Sequence, residues 1–298
     1  MSPASDVLHR FLIERAGVRG VLVQLSGVWR EVAGRADYPP PLRRLLGEAL
    51  AASALLTGNI KLRGSLSLEL KSQGALRLLF AECSDQGRLR GLARWEGALA
   101  EPLDLGALPQ ALLAITIGGT EPGQQRYQGL VAVEAAPFAQ LLEGYFERSE
   151  QMPTRIVLAA DGERAAALML QRLPREGGRA AEVDDDAWAR VGHLTATLGE
   201  EELLRLPVET LLRRLYHEEG VRLFQARPLT FGCGCSRERV EHVLRALGRD
   251  EVEAALAARD GEIEVTCEFC ASRYLFDRVD AERLLSATPA APASPLSH

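Results

Sequence analysis

The stretch FGCGCSRERV, residues Phe231–Val240, places two cysteines one residue apart, and CEFC, Cys267–Cys270, adds two more after a spacer of 31 residues. Four soft sulfur ligands in two close pairs are the set that a tetrahedral zinc site requires. This pattern predicts a small metal-binding module near the end of the chain, with one zinc ion in the reduced form. The predicted ligands are Cys233, Cys235, Cys267 and Cys270.

The segments around the cysteines predict the rest of this module. The spacer has the pattern of two short helices, the second opened by Asp250, followed by a strand that runs into Cys267. RYLFD, residues 273–277, predicts the returning strand of a hairpin. We therefore place a zinc-binding domain at residues 232–287, a size at which a bound metal often decides whether a chain folds.

The first half of the chain mixes strand and helix patterns. In GSLSLELKS, residues 64–72, leucines alternate with polar residues, as in a half-buried strand. Apolar residues at helical spacing predict helices over 39–60 and 136–150, the first opened by prolines. Residues 1–178 therefore predict an α+β domain with a mixed or antiparallel sheet. Further predicted strands lie at 75–83, 88–95, 114–119, 126–134 and 154–160.

A change of character follows at LPREGGRAAEVDDD, residues 173–186. Two or three helices are predicted beyond it, and we interpret residues 179–231 as a helical linker that depends on packing against its neighbours. Residues 288–298 are rich in Ala, Pro and Ser, which predicts a disordered tail. The predicted fold class is α+β: an N-terminal sheet domain with helices, a helical linker and a small C-terminal zinc-binding domain.

Composition and charge exclude several classes of function. The net charge is −6, and residues 233–287 hold eight arginines, no lysine and twelve acidic residues, so a nucleic-acid partner is not expected. No stretch approaches the ~18 apolar residues that span a bilayer, and no secretory signal pattern opens the chain, which predicts no membrane association and a cytoplasmic location. Phosphate-loop, nucleophile-elbow and H-E-x-x-H motifs are lacking, so an enzyme is not predicted. Cys83, in a predicted strand, is expected to be an inert buried thiol.

The four cysteines are compatible with a structural role or with redox chemistry. Structural zinc contributes on the order of 10–16 kcal/mol in small peptides, as much as the ~5–15 kcal/mol that keeps a whole domain folded. Oxidised sulfurs no longer bind zinc, so oxidation and unfolding of the module are coupled. Cys233 can pair with Cys235, and Cys267 with Cys270, through very small loops whose disulfides should remain reducible.

Three functions are therefore weighed: a nucleic-acid-binding zinc ribbon, a thiol-disulfide oxidoreductase that uses CEFC, and a redox-controlled binding protein. The negative charge of the module disfavours the first. The second lacks a thioredoxin-like βαβ pattern before its C-x-x-C. The third would use oxidation to unfold the module, loosen the linker and expose apolar surface that binds other apolar surfaces.

The residues also resemble a known family. LLRRLYHEEGVRLF, then F-x-C-x-C-S-R-E-R, GEIEVTCEFC and RYLFD are similar to the redox-regulated bacterial heat-shock chaperone of about 33 kDa, the 33 kDa chaperonin family. The resemblance continues upstream through GSLSLEL, RYQG and YFERSEQMPTR, and so covers nearly the whole chain.

The resemblance implies an ATP-independent holdase of the cytoplasm that binds unfolding client proteins. Reduced and zinc-bound, such a protein is inactive; oxidative stress with mild unfolding activates it, and the active form is a homodimer. By matching positions, the four cysteines would be the zinc ligands. The oxidised form would carry the disulfides Cys233–Cys235 and Cys267–Cys270, and Cys83 matches no position of the switch.

Overall fold

A computed structural model describes residues 6–60, 63–119, 126–173 and 186–286. The chain divides into two compact units, Met1–Gly232 and Cys233–His298. The predicted boundary at 178 and the predicted tail at 288–298 lie outside the described residues. Among the residues described, no helix is long and apolar enough to cross a membrane.

Twelve strands of the first unit form two six-stranded sheets among its described residues. The first sheet has the order β10-β1-β2-β9-β8, with β11 also beside β1, and the second has the order β12-β5-β4-β3-β6-β7. All pairs are antiparallel except β12 with β5, which agrees with the prediction of a mixed or antiparallel sheet. The strands are β1 Val7–Ile13, β2 Val18–Leu25, β3 Gly64–Lys71, β4 Leu76–Ser84, β5 Arg88–Trp95, β6 Leu112–Gly119, β7 Tyr127–Ala132, β8 Thr154–Ala160, β9 Ala165–Arg172, β10 Val221–Leu223, β11 Arg227–Pro228 and β12 Thr230–Phe231.

Helix α2, Pro40–Asn59, contacts strands of both sheets and organises the larger core. Prolines at its first turn are pre-set to helical φ and lack the N–H that a first turn leaves unpaired. Most of its side chains are buried, because sheet strands lie on more than one side of it. At Gly47 an added Cβ would lie 2.6 Å from the Cβ of Ala160, so only glycine permits this approach to β8. Helices α1, Gly27–Ala33, and α3, Phe138–Ser149, complete this core.

The linker helices build a second core on the first sheet. They are α4 Ala187–Ala196, α5 Glu200–Arg205 and α6 Val208–Tyr216. Their buried side chains form one cluster with residues of β1, β2, β8 and β9; Tyr216, for example, is fully buried, with its ring 6.3 Å from that of Phe11. The predicted helices are confirmed, and their stability comes from packing, as short helices require.

The end of the linker is not helical, contrary to the sequence-based interpretation of 179–231. Strands β10 and β11 pair with β1, and β12 pairs with β5. These strands have two or three residues each, too few to show an alternating pattern, and they form through pairing with strands distant in sequence.

The second unit contains the predicted helices and hairpin. Its elements are α7 Arg237–Leu247, α8 Arg249–Ala258, β13 Glu262–Thr266, β14 Arg273–Asp277 and a helix not predicted, α9 Arg278–Ser286. Among the described residues its core consists of seven buried apolar side chains, so little apolar burial holds this unit together. They are Leu244, Val252, Leu256, Ile263, Phe276, Ala281 and Leu284.

Candidate metal centre

The C-x-C pair lies in the loop between β12 and α7. Ser236 caps α7, and its hydroxyl accepts the N–H of Arg239 at 3.3 Å. Arg239 in turn donates through Nη1 to the carbonyl of Gly234 at 2.5 Å. A Cβ at residue 234 would lie 2.8 Å from that Nη1, so glycine makes room for the arginine. The sequence S-R-E-R after the cysteines thus fixes the loop that presents Cys233 and Cys235.

The C-x-x-C pair occupies the turn of the β13–β14 hairpin. The N–H of Cys267 donates to the carbonyl of Ser272 at 2.9 Å, and the N–H of Ala271 donates back to the carbonyl of Cys267 at 2.7 Å. Ala271 has φ of 58°, a left-handed conformation that L-residues rarely adopt. The tight turn directs the side chains of Cys267 and Cys270 to one place.

All four predicted ligands meet in one cluster. Their sulfurs lie within 4.8 Å of one another, with Cys233 Sγ 3.6 Å from Cys267 Sγ and Cys235 Sγ 3.2 Å from Cys270 Sγ. All are free thiols. Four sulfurs at the usual ~2.3 Å from a tetrahedral zinc ion would be about 3.8 Å apart, so the cluster fits such an ion in number, element and spacing.

Hydrogen bonds surround the sulfurs. Backbone N–H groups reach Cys233, Cys267 and Cys270. Two side-chain hydroxyls also approach the sulfurs: Tyr274 Oη donates to Cys235 Sγ at 3.1 Å, and Ser272 Oγ lies 3.2 Å from Cys270 Sγ. Donors of this kind stabilise the thiolate form, which is the form that binds metal.

The thiols are not equivalent in acidity when no ion shares their charge. Burial and the adjoining cysteine side chains raise the pKa of Cys233 to about 12, and burial also raises the pKa of Cys267. At Cys270 burial opposes ionisation, but bonds from Ser272 and the neighbouring sulfurs outweigh it and lower the pKa to about 6. The Cys270 thiolate therefore forms easily, whereas Cys233 and Cys267 need a cation to replace their protons.

Arg237, in the motif C-S-R-E-R, holds the module around the cluster. Its guanidinium donates to Asp280 Oδ2 at 2.6 Å and to the carbonyl of Leu275 at 2.8 Å. The same group lies 4.2 Å from the ring centroid of Phe276. One side chain thus joins the start of α7 to β14 and α9.

Cys83 lies in the other unit, on β4, and is 1% exposed. Burial raises the pKa of its thiol to about 12, which leaves it protonated at neutral pH. It takes no part in the cluster, as the sequence analysis expected.

The cysteine spacing predicts the four sulfurs, but it does not predict the two hydroxyls beside them. The alternation in RYLFD could have placed Tyr274 and Phe276 on one face of β14. No sequence signal shows that Tyr274, 39 positions from Cys235, reaches its sulfur.

Comparison with known proteins shows to which family the chain belongs. The profile of the family described as Hsp33 protein matches residues 6–277. The chain belongs to the Hsp33 family. A 33 kDa chaperonin of Nitrosococcus oceani is 45% identical over 293 residues, 98% of this chain and 99% of the relative. A 33 kDa chaperonin of Azotobacter vinelandii is 46% identical and covers 94% of this chain, with 95% of its own length matched.

A solved Hsp33 structure shares the fold. The crystal structure of the 33 kDa chaperonin of Thermotoga maritima superposes with a TM-score of 0.79 at 21% identity, over 94% of this chain and 98% of that one. Membership of the Hsp33 family confirms the resemblance drawn from the cysteine motifs and the predicted α+β class. It also supports a chaperone rather than an enzyme.

Proposed function

We propose that this Hsp33 family member is a redox-regulated, ATP-independent holdase. Reduced, it holds one zinc ion through Cys233, Cys235, Cys267 and Cys270 and is inactive; oxidised, it binds unfolding proteins. The observation that supports this best is the convergence of four free sulfurs within 4.8 Å in a unit whose described core is seven apolar residues. A module with so small a core depends on its metal for folding, so oxidation of the ligands, which releases the metal, removes most of its stability.

Zinc would supply folding free energy to this module, and the thiolates would supply the sensitivity to oxidants. Peroxide converts one sulfur to a sulfenic acid with loss of one water, and the second sulfur displaces the hydroxyl group as a second water. Each disulfide thus uses one peroxide and two electrons from two thiols. Following the family resemblance, we propose the pairs Cys233–Cys235 and Cys267–Cys270.

The linker provides the route from oxidation to client binding. Strand β12 ends at Phe231, two positions before Cys233. It pairs with β5 at two positions, the N–H of Gly232 donates to the carbonyl of Leu89 at 2.9 Å, and the Arg35 guanidinium lies 5.3 Å from the centroid of the Phe231 ring. Unfolding of the module would put an unfolded chain directly after this short strand and so favour its detachment. Linker residues 187–231 then loosen and uncover apolar side chains of the first sheet, including Phe11, Ile13 and Leu168. Exposed apolar surface of this kind binds the apolar segments of unfolding proteins.

The test follows zinc, thiols and a client together. In the reduced protein we expect one zinc per chain and no effect on aggregation of a heat-unfolding client. After peroxide at mild heat we expect release of the zinc to a colorimetric chelator, loss of four thiols, and suppression of aggregation without ATP. Suppression that is equal in the reduced, zinc-loaded protein would contradict the switch.

Two variants sharpen this test. Cys83→Ala keeps the four cluster sulfurs and should behave like the parent, whereas Cys267→Ser should bind no zinc. Peptide mapping should find the two local disulfides. The cross-pairs Cys233–Cys267 and Cys235–Cys270, whose sulfurs are also in contact, would staple the module and contradict the unfolding step.

Further outcomes bear on the rest of the proposal. We expect the oxidised form to be a homodimer by light scattering and the protein to act in the cytoplasm. Catalytic turnover of a disulfide substrate would instead favour the alternative function, a thiol-disulfide oxidoreductase that uses CEFC.

A further inference from the structure

Tyr274 joins the two halves of the sulfur cluster. It lies on β14 opposite Val265 of β13, and its ring packs half-buried against the small core of the module. Its hydroxyl donates to Cys235 Sγ, which lies on the other cysteine loop, at 3.1 Å. The strand fixes the ring, so the hydroxyl is held at the sulfur by packing and not by a flexible side chain.

The neighbouring residues explain why Tyr274 reaches this position. Phe276, two positions along the strand, points to the same face and is fully buried in the core. Arg237 stacks over the Phe276 ring at the start of α7, immediately after the C-x-C loop. Tyr274 and Phe276 thus lie on the core-facing side of β14, and Tyr274, nearer the start of the strand, lies beside the loop that holds Cys235.

The hydrogen bonds divide the four sulfurs into two kinds. Cys233 and Cys267 accept backbone N–H groups from their own loops, and the Ser272 hydroxyl beside Cys270 belongs to an exposed residue of the same turn. Among these side-chain and backbone donors, Tyr274 alone reaches a sulfur from a distant part of the sequence. Its bond would be lost, together with the contacts between the sulfurs themselves, if the two halves of the site separated.

The chemistry of such a bond bears on oxidation. A hydroxyl that donates to a thiolate withdraws charge from the sulfur and so lowers the nucleophilicity of the sulfur towards an oxidant. The same bond holds the sulfur in the orientation in which it binds the ion. Peroxide reacts with the thiolate in proportion to that nucleophilicity. The donor at Cys235 therefore acts against both its oxidation and the departure of a bound ion.

We propose that Tyr274 is a positioning residue of the metal centre. Its hydroxyl bond to Cys235 slows oxidation of the C-x-C pair and helps the site to retain its ion. This inference rests on the proposed function, since it assigns to one side chain control over when that switch opens. Removal of a donor beside a metal ligand typically costs about 10–100-fold in metal affinity, which sets the expected size of the effect.

The test replaces Tyr274 by Phe in the full chain, which keeps the ring and removes the hydroxyl. We expect zinc affinity, measured by competition with a chelator, to fall about tenfold or more. Timed alkylation and mass spectrometry after peroxide should show Cys235 oxidised several times faster than in the parent. In the cobalt-substituted protein the thiolate-to-metal charge-transfer band should move to longer wavelength, because the sulfur lone pair loses a hydrogen bond; a loss of ring packing alone would not move it.

Ser272→Ala is the matched control, because it removes a hydroxyl beside another ligand without breaking the link between loops. It should change the oxidation rate of Cys235 several times less than Tyr274→Phe does, and an equal change in the two variants would contradict the role of the Tyr274 bond. If Tyr274→Phe fails to fold, the zinc-loaded parent still gives an answer by NMR. A slowly exchanging Tyr274 hydroxyl proton with a nuclear Overhauser contact to the Cys235 β-protons supports the bond, and its absence overturns the proposal.

The outcomes separate this proposal from the function on which it rests. Unchanged affinity, cobalt spectrum and Cys235 oxidation rate in Tyr274→Phe would overturn the role of Tyr274, while the parent would still release zinc and hold clients. Retention of zinc by the fully oxidised parent would instead overturn the switch, and the cobalt spectrum of the variant would still report on the hydroxyl.

Discussion

The two compact units are stabilised in different ways. In the first, α2 and two six-stranded sheets enclose a large apolar core, and the linker helices add a second cluster on the first sheet. In the second, seven buried apolar side chains accompany four clustered thiols among the described residues. Burial of apolar area can stabilise the first unit by itself, whereas under the proposed function the second needs a bound ion to join its four cysteines. A chain built this way can lose one unit and keep the other.

Removal of the metal is the largest test of this difference. Cys267→Ser, or a strong zinc chelator, should unfold residues 233–286, because structural zinc contributes on the order of 10 kcal/mol or more. Amide exchange should then be fast in α7, α8 and the β13–β14 hairpin, yet remain slow in α2 and the central strands. Protection of the hairpin equal to that in the parent would show that the small core suffices without metal.

The pH dependence of zinc binding gives a second, smaller test. The pKa values of Cys233 and Cys267 are raised, so both thiols are protonated at pH 6–8 and must release their protons to bind zinc. Affinity should therefore rise with pH, by about 100-fold per unit from these two protons, or about 2.7 kcal/mol. Chelator competition at several pH values measures this slope, and a change of less than tenfold per unit would contradict it. The described residues of the first unit hold no such cluster, and the stability of that unit should change far less over the same range.

The smallest expected effect is at the linker, whose helices are held on the first sheet by packing and hydrogen bonds. The Gln24 amide donates to the carbonyls of Leu203 and Leu206 at 3.0 and 2.9 Å and so ties α5 to β2. Gln24→Ala leaves both carbonyls without this donor and should destabilise the linker by about 1–3 kcal/mol. Limited proteolysis of the reduced, zinc-loaded protein should cut the linker sooner. The exposed Gln140 on α3 is the control, and Gln140→Ala should leave the cleavage rate unchanged.

Sequence patterns predicted the elements that expose one face to water. β3, with its strict alternation of leucine and polar residues, is an example, and the zinc module was predictable because cysteine spacing carries its own chemistry. Strands β2 and β9 were not assigned, because they lie in the middle of the first sheet, between α2 and the linker helices, and are buried on both faces. A strand of this kind shows an apolar run without alternation.

Other elements were not predicted because they depend on contacts between distant parts of the sequence. β10 and β12 exist because β1 and β5 offer them an edge, and nothing local to Val221–Leu223 or Thr230–Phe231 requires a strand. The same holds at the metal centre. The spacing of the cysteines predicts the site, but the hydroxyl of Tyr274 becomes part of it only when β14 is folded beside the C-x-C loop.

The burial of Cys83 has a practical consequence for watching this protein at work. Burial raises the pKa of the Cys83 thiol to about 12, so the thiol is protonated at pH 7, and the side chain is 1% exposed. An alkylating reagent added to the metal-stripped chain, whose first unit stays folded, should therefore count four sulfurs and not five. In the purified protein, every equivalent of label consumed therefore reports on the second unit alone, so a simple thiol titration can follow the state of that unit while the first unit stays folded.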